Sequence, residues 1–420
     1  MTAVAAAVLA WALIAPPVQN PADLAEVIAE IRVHGNHVTP DEEVIRIAGV
    51  AKNDPFRDTT IALVRERLKA ANLFQTIEVL KRHASIEDPT QIMLVIVVNE
   101  GPVRIDFPDA PGEMPRVVRR RGVRNLMFMP IFDAEDGYGV TFGARVAYLG
   151  LAGGRSRLSM PLTWGGLKRA GVELERTFDR GPVSRLEVGG AIQRRRNPAY
   201  EENDDRRRAW ARAERAQGPL RLAGTVAWQH VGFGPIDEDL RTVGADVAFD
   251  TRLDPALPRN AVFAAASWER VFFEAGDPID RTRIDARGYL GVGGQLVLVV
   301  RALREEASAP QPLYLRSLLG GWSNLRGFKA GAFTGDTLVA GSVELRLPLS
   351  SPLSIGKLGV SAFVDTGAAY DTGQRLRDQT MRTGIGGSVW ITLAALKMSL
   401  GVAHGRGSGT RVNFGGGLTF

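Results

Sequence analysis

A chain of 420 residues has room for two or three domains, or for one small domain and a large barrel. Hydrophobic residues make up 45% and mean hydropathy is −0.04, yet no internal run approaches the roughly 18 uncharged apolar residues of a spanning helix, which excludes a helical membrane bundle. Cysteine is absent, which excludes disulfides, thiolate metal sites, a cysteine nucleophile and lipid attachment, while a net charge of +6 with 45 arginines and seven lysines suits phosphates and anionic lipid head groups.

An apolar run over 3–15, followed by Pro16 and Pro17, reads as the core of a secretory signal peptide spanning 1–20, although no Lys or Arg precedes it. A compact α/β unit is expected over 29–101. Ile31 and Val33 begin a strand that stops at His34-Gly35-Asn36, and His34 and His37 read as polar turn residues rather than metal ligands. Thr39-Pro40-Asp41-Glu42 predicts a helix start, with Thr39 as N-cap, Pro40 in the first helical position and Glu42 completing a capping box. Gly49 ends that helix. A second helix starts near Asp58 and carries Ile61, Val64, Leu68 and Ala71 on one apolar stripe, with Asn72 at its end. Strands over 76–81 and 92–99 complete a βααββ unit of about 70 residues, near the lower limit for an independent core.

After Glu100-Gly101-Pro102 a linker over 102–125 carries Pro108, Pro111, Pro115 and the basic run Arg119-Arg120-Arg121. From 126 to 420 only a two-residue alternation is found, punctuated by glycine and short turns. Leu186, Val188 and Ile192 oppose Arg185, Glu187 and Gln193; Val243, Ala245, Val247 and Phe249 oppose Thr242, Asp246 and Asp250. Strand starts fall near 127, 138, 154, 168, 184, 206, 219, 241, 260, 281, 294, 336, 356, 381, 395 and 410. About sixteen antiparallel strands without a core-filling helix predict a membrane all-β barrel, apolar outside and polar inside. An even count returns the chain to the side where the barrel began. The turns at 179–182, 217–219 and Ala394 are then periplasmic, and the long connections 306–335 and 367–380 extracellular. Arg176 falls on the lipid face, either snorkelling or marking a bulge. The last strand places Val412, Phe414, Leu418 and Phe420 on one face.

Three groups of residues carry a family resemblance. The run from Ile31 to Val79, with its Gly-Asn turn, the spaced Gly49, Asp54, Pro55 and Phe56, and the Leu73-Phe74 pair, resembles a polypeptide-transport-associated (POTRA) domain. Such domains bind extended polypeptide along a sheet edge, whose unpaired N–H and C=O groups accept a further strand. The final strand resembles the C-terminal targeting signal of outer-membrane barrels. Leu325-Arg326-Gly327-Phe328 matches the [VIL]-R-G-[FY] motif of the BamA/TamA-type outer-membrane assembly and secretion barrels, a family that includes the bacterial surface antigens. Glu344-Leu345-Arg346-Leu347-Pro348 resembles its E-x-R-x-P strand, and Phe363-Val364-Asp365-Thr366-Gly367 its F-x-D-x-G strand. Asp250-Thr251-Arg252 with Pro258 resembles D-x-R…P-x-x-G, but Asn260 and Ala261 stand where a glycine is usual.

Parity adds an independent reading. Val343, Leu345, Leu347, Leu358, Val360, Ala362 and Val364 face lipid, so Glu344, Arg346, Phe363 and Asp365 point into the lumen. The resemblance implies that the sixth extracellular loop folds back, bringing Arg326 to Asp365 and Glu344, with Gly327 at a tight turn and Phe328 against the wall.

No catalytic residues, metal or cofactor are expected. Gly291 to Gly294 and Gly384 to Gly387 precede no helix and so make no phosphate cradle; they suit strand bends and close approach. No G-x-S-x-G elbow occurs. Nucleic acid is not an expected partner, because the basic residues lack interleaved stacking aromatics. The carboxylates Glu201, Glu202, Asp204 and Asp205 are expected in an exposed loop between the arginine triplets 194–196 and 206–208, which could hold lipopolysaccharide phosphates. The resemblance implies a non-enzymatic outer-membrane barrel, its POTRA domain in the periplasm, that inserts or translocates unfolded or nascent outer-membrane or secreted polypeptides. A periplasmic or inner-membrane partner is compatible with this. A single POTRA domain keeps a passive pore or anchor as the alternative, with two-partner secretion between them.

Overall fold

The computed structural model describes residues 26–418 apart from 37, 75, 86–87, 89, 101–102, 107–115, 120–124, 153–154, 351–355 and 394–395. The expected signal segment, His37, Pro108, Pro111, Pro115, Arg120, Arg121, Ala394 and Phe420 lie outside the described residues.

The N-terminal unit runs β1 (Val27–His34), α1 (Asp41–Ala48), α2 (Thr60–Ala70), β2 (Thr76–His83) and β3 (Gln91–Asn99). Its sheet has the order β1-β3-β2, with β1 parallel and β2 antiparallel to β3. The stripe Ile61, Val64 and Leu68 is buried against Ile28, Val79, Leu94 and Ile96, whereas Ala71 stays half-exposed. Gly49 adopts φ +64° and its N–H reaches the Ile45 carbonyl, and Asn72 closes α2 at φ +54°, so both helices end in left-handed residues. The start of α1 departs from expectation. Pro40, not Thr39, is the N-cap, and no side-chain cap bond forms. The Val38 and Thr39 N–H groups donate instead to the Glu100 carboxylate, at 2.7 and 2.8 Å. A carboxylate after β3 thus does the work expected of a local capping box.

Two short paired strands follow, β4 (Val103–Asp106) and β5 (Arg116–Arg119), where a linker was expected. The barrel then opens with β6 (Leu126–Glu135), β7 (Gly139–Leu149), β8 (Ser156–Gly165), β9 (Leu167–Thr177), β10 (Arg185–Arg196) and β11 (Asn203–Gln217). It continues with β12 (Leu220–Phe233), β13 (Ile236–Asp250), β14 (Ala261–Phe273), β15 (Ile279–Gly293) and β16 (Leu296–Ala307). A long loop carries the small pair β17 (Ser317–Leu319) and β18 (Phe333–Gly335). The barrel ends with β19 (Thr337–Ser350), β20 (Gly356–Tyr370), β21 (Arg382–Leu393), β22 (Leu396–Gly405) and β23 (Gly409–Leu418). Sixteen of these strands close into one antiparallel cylinder. Each expected strand start lies within a few residues of the observed one.

Alternation does the sorting. Val172, Leu186, Val188, Ile192, Val243 and Val247 are exposed on the outer wall. Their neighbours form an ionic lining inside: Glu175 takes Arg157 and Arg185, Glu173 takes Arg169, and Arg212 meets Asp246. Arg176 occupies the outer wall at the last turn of β9, its guanidinium 5.2 Å from the Phe178 ring, with no register shift in either neighbouring pair. The unbroken register excludes a bulge there. The arginine triplets expected beside an exposed loop lie within β10 and β11, because those strands extend to Arg196 and begin at Asn203.

The end of β2 abuts the barrel rim on which β6 begins, called here the proximal rim. Gln295 Nε2 donates to the Ser85 carbonyl at 2.8 Å and Lys357 Nζ to the His83 carbonyl at 3.0 Å. Arg82 Nε lies 3.0 Å from Asp254 Oδ2, both residues being almost wholly buried. Burial pushes the Asp254 carboxyl up and Arg82 pulls it back, so this ion pair confers position more than net stability. Arg82→Met strands Asp254, and is expected to weaken docking of the N-terminal unit by about 3 kcal/mol. Hydrogen exchange at β2 would rise in the variant; unchanged exchange there would refute the contact's role.

Candidate functional site in the barrel lumen

The loop at 308–336 turns back into the lumen rather than standing clear of the rim. Leu325 and Phe328 are buried with Leu303, Leu338 and Ala340 of the wall, and the Phe328 ring lies 5.5 Å from Phe333. The start of the loop is anchored at the distal rim, where Tyr314 Oη donates to Glu238 at 2.6 Å and Arg206 donates to the Tyr314 carbonyl at 2.9 Å.

The wall opposite the loop tip is set by strand register. β19 places Ser342 opposite Asp365 and Glu344 opposite Phe363 on β20. Val343, Leu345 and Val364, one residue out of phase, are exposed on the outer wall. Four inward groups therefore meet at one height of the cylinder.

Arg326 fills the space between them. Its Nε and Nη2 donate to the two Asp365 oxygens, each at 2.7 Å, and its backbone N–H adds a third bond at 3.0 Å. Nη1 donates to Glu344 Oε2 at 2.7 Å and Nη2 to Ser342 Oγ at 3.0 Å. Ser342 also donates to Asp365, and Arg346 Nε holds the other Glu344 oxygen at 2.7 Å. The guanidinium sits 3.4 Å from the Phe363 ring centroid, and Trp322 meets that ring edge-on at 6.0 Å. Arg326 and Asp365 are 8% and 1% exposed, which places a bidentate, fully bonded pair away from bulk water.

Glycines make the approach possible. Gly327 has φ +93°, and a Cβ there would stand 2.7 Å from the Gly405 nitrogen. A Cβ at Gly384 would collide with the Arg326 carbonyl, and one at Gly401 or Gly415 with the Trp322 ring. Gly384, Gly401, Gly405 and Gly415 thus form a trough in β21 to β23 for the loop tip. Gly367 lets Leu319 lie close to the wall.

Not every flagged residue belongs here. Asp250 and Arg252 pair with each other at 2.8 Å near the proximal rim, where Arg252 lies 4.3 Å from the Phe263 ring. Asn260 takes φ +47°, a left-handed conformation open to asparagine, at the place where glycine is usual. Val412 and Phe414 face outward; Leu418 pairs with Leu396, and Phe420 lies outside the described residues. Trp322, Ser342, Tyr314, Gly401, Gly405 and Gly415 were not singled out by the sequence, whereas Gly384 was, as a residue suited to close approach. The inward parity of Ser342 and the density of glycine in the last three strands were the available signals.

One seam stands apart. Among the described residues, β23 meets β6 only where Gly416 faces Ala134 and Gly417 faces Asp133, whereas β22 pairs with β23 from Leu396 to Gly405. Asn413 Nδ2 adds a bond to Asp136 at 2.6 Å beyond that short ladder.

Two substitutions test the loop contact separately from charge. Arg326→Ala leaves buried Asp365 without its partner and is expected to cost the docked loop about 3–5 kcal/mol. Gly384→Ala keeps every charge but blocks the approach. Both are expected to make 316–335 protease-sensitive in the folded barrel, and retained resistance in both would show that the loop is held elsewhere.

Comparison with known proteins agrees with this architecture. The Omp85 superfamily domain matches residues 166–420, and the POTRA family described as a surface antigen variable number repeat matches 26–101. Among solved structures, BamA from Haemophilus ducreyi lacking POTRA domains 1–3 is 14% identical, with 93% of this chain and 84% of that chain covered at a TM-score of 0.62. CdiB from Escherichia coli is 11% identical, with 97% and 93% covered at a TM-score of 0.53. CdiB from Acinetobacter baumannii is also 11% identical, with 94% and 74% covered at a TM-score of 0.50. No curated protein matches the sequence. With a shared domain over more than half its length, the chain belongs to the Omp85 superfamily, as an outer-membrane β-barrel preceded by a POTRA domain.

Proposed function

We propose that this barrel handles polypeptides, inserting clients into the outer membrane or passing them across it, with the POTRA unit in the periplasm and the proximal rim facing it. The observation that carries the reading is the β23–β6 seam. Among the described residues two opposed pairs and the Asn413–Asp136 bond join its strands, and one partner of each pair is a glycine that adds no side-chain packing. Such a seam can part at small cost and offer its edges to an incoming strand.

Two further features support the reading. In the POTRA sheet β2 is an edge strand, and among the described residues no second strand pairs with its outer side, where an extended client can add. The Arg326 cluster holds the loop across the lumen as a movable element, and we infer that it acts as a lock whose release accompanies transport. None of these features requires active-site chemistry.

The outer wall near the distal rim also carries Lys168, Arg194 and Arg207, although Arg194 is already paired with Asp205. Lipopolysaccharide phosphates are the proposed ligand of that patch. Arg194→Gln with Arg207→Gln is expected to lower co-purified lipopolysaccharide, and unchanged lipid content would remove it from the reading.

The main test is capture. A photo-crosslinker placed within 76–81 is expected to trap nascent polypeptide, and a disulfide between Ala134→Cys and Gly416→Cys is expected to stop client release. Small-ion conductance with no trapped polypeptide would favour the alternative, a passive pore or anchor that retains the scaffold.

A further inference from the structure

A partly open pocket of about 110 Å³ lies between the POTRA unit and the lumen loop. His83 of the POTRA unit forms part of its floor, Trp322 of the loop part of its roof, and Trp390 part of its wall. Its charged lining is unbalanced: Arg259, Arg326, Arg346, Lys357 and Lys397 face a single carboxylate, Glu344. That carboxylate is already occupied, one oxygen by Arg326 and the other by Arg346. Among the described residues the Arg259 and Lys357 side chains reach only backbone carbonyls, of Leu296 at 3.2 Å and of His83 at 3.0 Å. Lys397 makes no hydrogen bond or ion pair among the described residues. Trp390 is 6% exposed, and its buried Nε1 has no acceptor there. The residue before His83 repeats the pattern, since Arg82 is 4% exposed with Nη1 and Nη2 unaccepted.

Buried donors demand acceptors, and buried cations demand a counter-charge. Water can supply the first but not the second. An oxyanion supplies both, because one phosphate or carboxylate group offers several lone pairs and a full negative charge. The volume admits a group of that size. Among the described residues the Lys397 ammonium and the remaining N–H groups of Lys357 are the donors available to bind it.

We propose that this pocket is an oxyanion-binding site, for a phosphate or carboxylate group, and that its occupancy is coupled to docking of the POTRA unit on the barrel. The coupling follows from construction. His83 belongs to the POTRA unit and Lys357 to the barrel, and both line the pocket, which exists only when the two units are docked. A ligand that binds only there stabilises the docked state by mass action. The proposal does not depend on how the barrel handles polypeptides.

The full chain in nanodiscs provides the test. It has no native cysteine, so spin labels at Glu66→Cys on α2 and Arg180→Cys in the turn after β9 report docking as a distance distribution. Inorganic phosphate and sodium acetate are the probes, with sodium chloride at matched ionic strength as reference. The expected result is a docked-to-undocked ratio that rises about tenfold when the active anion reaches ten times its dissociation constant. Phosphate alone acting assigns a phosphate group, and acetate acting assigns a carboxylate. Lys397→Met is expected to abolish the response in a barrel that still shows heat-modifiable migration, with Lys357→Met as the second variant should the first not fold. A wild-type distribution no more sensitive to either anion than to chloride overturns the proposal, as does a full response in the folded variants.

Discussion

Closing a sheet into a cylinder assigns every residue of every strand to the outside or the inside, and there is no third choice. Everything else in this molecule is built on that alternation. It places Val343, Leu345 and Val364 outward and, by the same step, Glu344, Phe363 and Asp365 inward on two neighbouring strands. Apolar outward positions meet lipid without cost, but inward charges must find partners in a space with little water. The lumen is therefore a set of solved charge problems: paired arginines and glutamates along β8 to β10, and the Arg326 cluster on β19 and β20.

The Arg326 cluster differs from the other pairs because its cation comes from a loop. Strand pairing fixes Asp365, Glu344 and Ser342, but Arg326 reaches them only by bringing backbone to within van der Waals contact of the opposite wall. Glycine is required at both surfaces, at Gly327 in the loop and at Gly384 and Gly405 in the wall. The loop is thus held by a bidentate ion pair and by shape at once. Its attachment therefore depends on a few atoms of the loop tip and the wall.

The two ends of the barrel chain meet the same physics with opposite results. At the seam, glycines in β23 remove side-chain packing, and among the described residues the ladder has two opposed pairs. At the proximal rim, Arg82 pairs with Asp254 and the His83 and Ser85 carbonyls accept from Lys357 and Gln295, and the POTRA unit docks. A weak seam beside a firmly placed periplasmic-type domain gives the structure one soft edge and one fixed reference.

Much of this was legible in the chain. Two-residue alternation carries strand position, so the sixteen starts and the inward set Glu344, Phe363 and Asp365 followed from local pattern, and Gly49 and Asn72 marked helix ends by their tolerance of left-handed backbone. The start of α1 did not follow, because the Val38 and Thr39 N–H groups just before it are taken by Glu100, some sixty residues away. Likewise the arginine triplets looked like loop residues, since strand length beyond the apolar belt leaves no apolar signal. What the sequence determined alone was the parity of each strand and the identity of the buried charges. Only the tertiary structure decided which charges meet, where glycine lets the loop touch the wall, and how β2 reaches the rim, because those contacts join residues that no local periodicity connects.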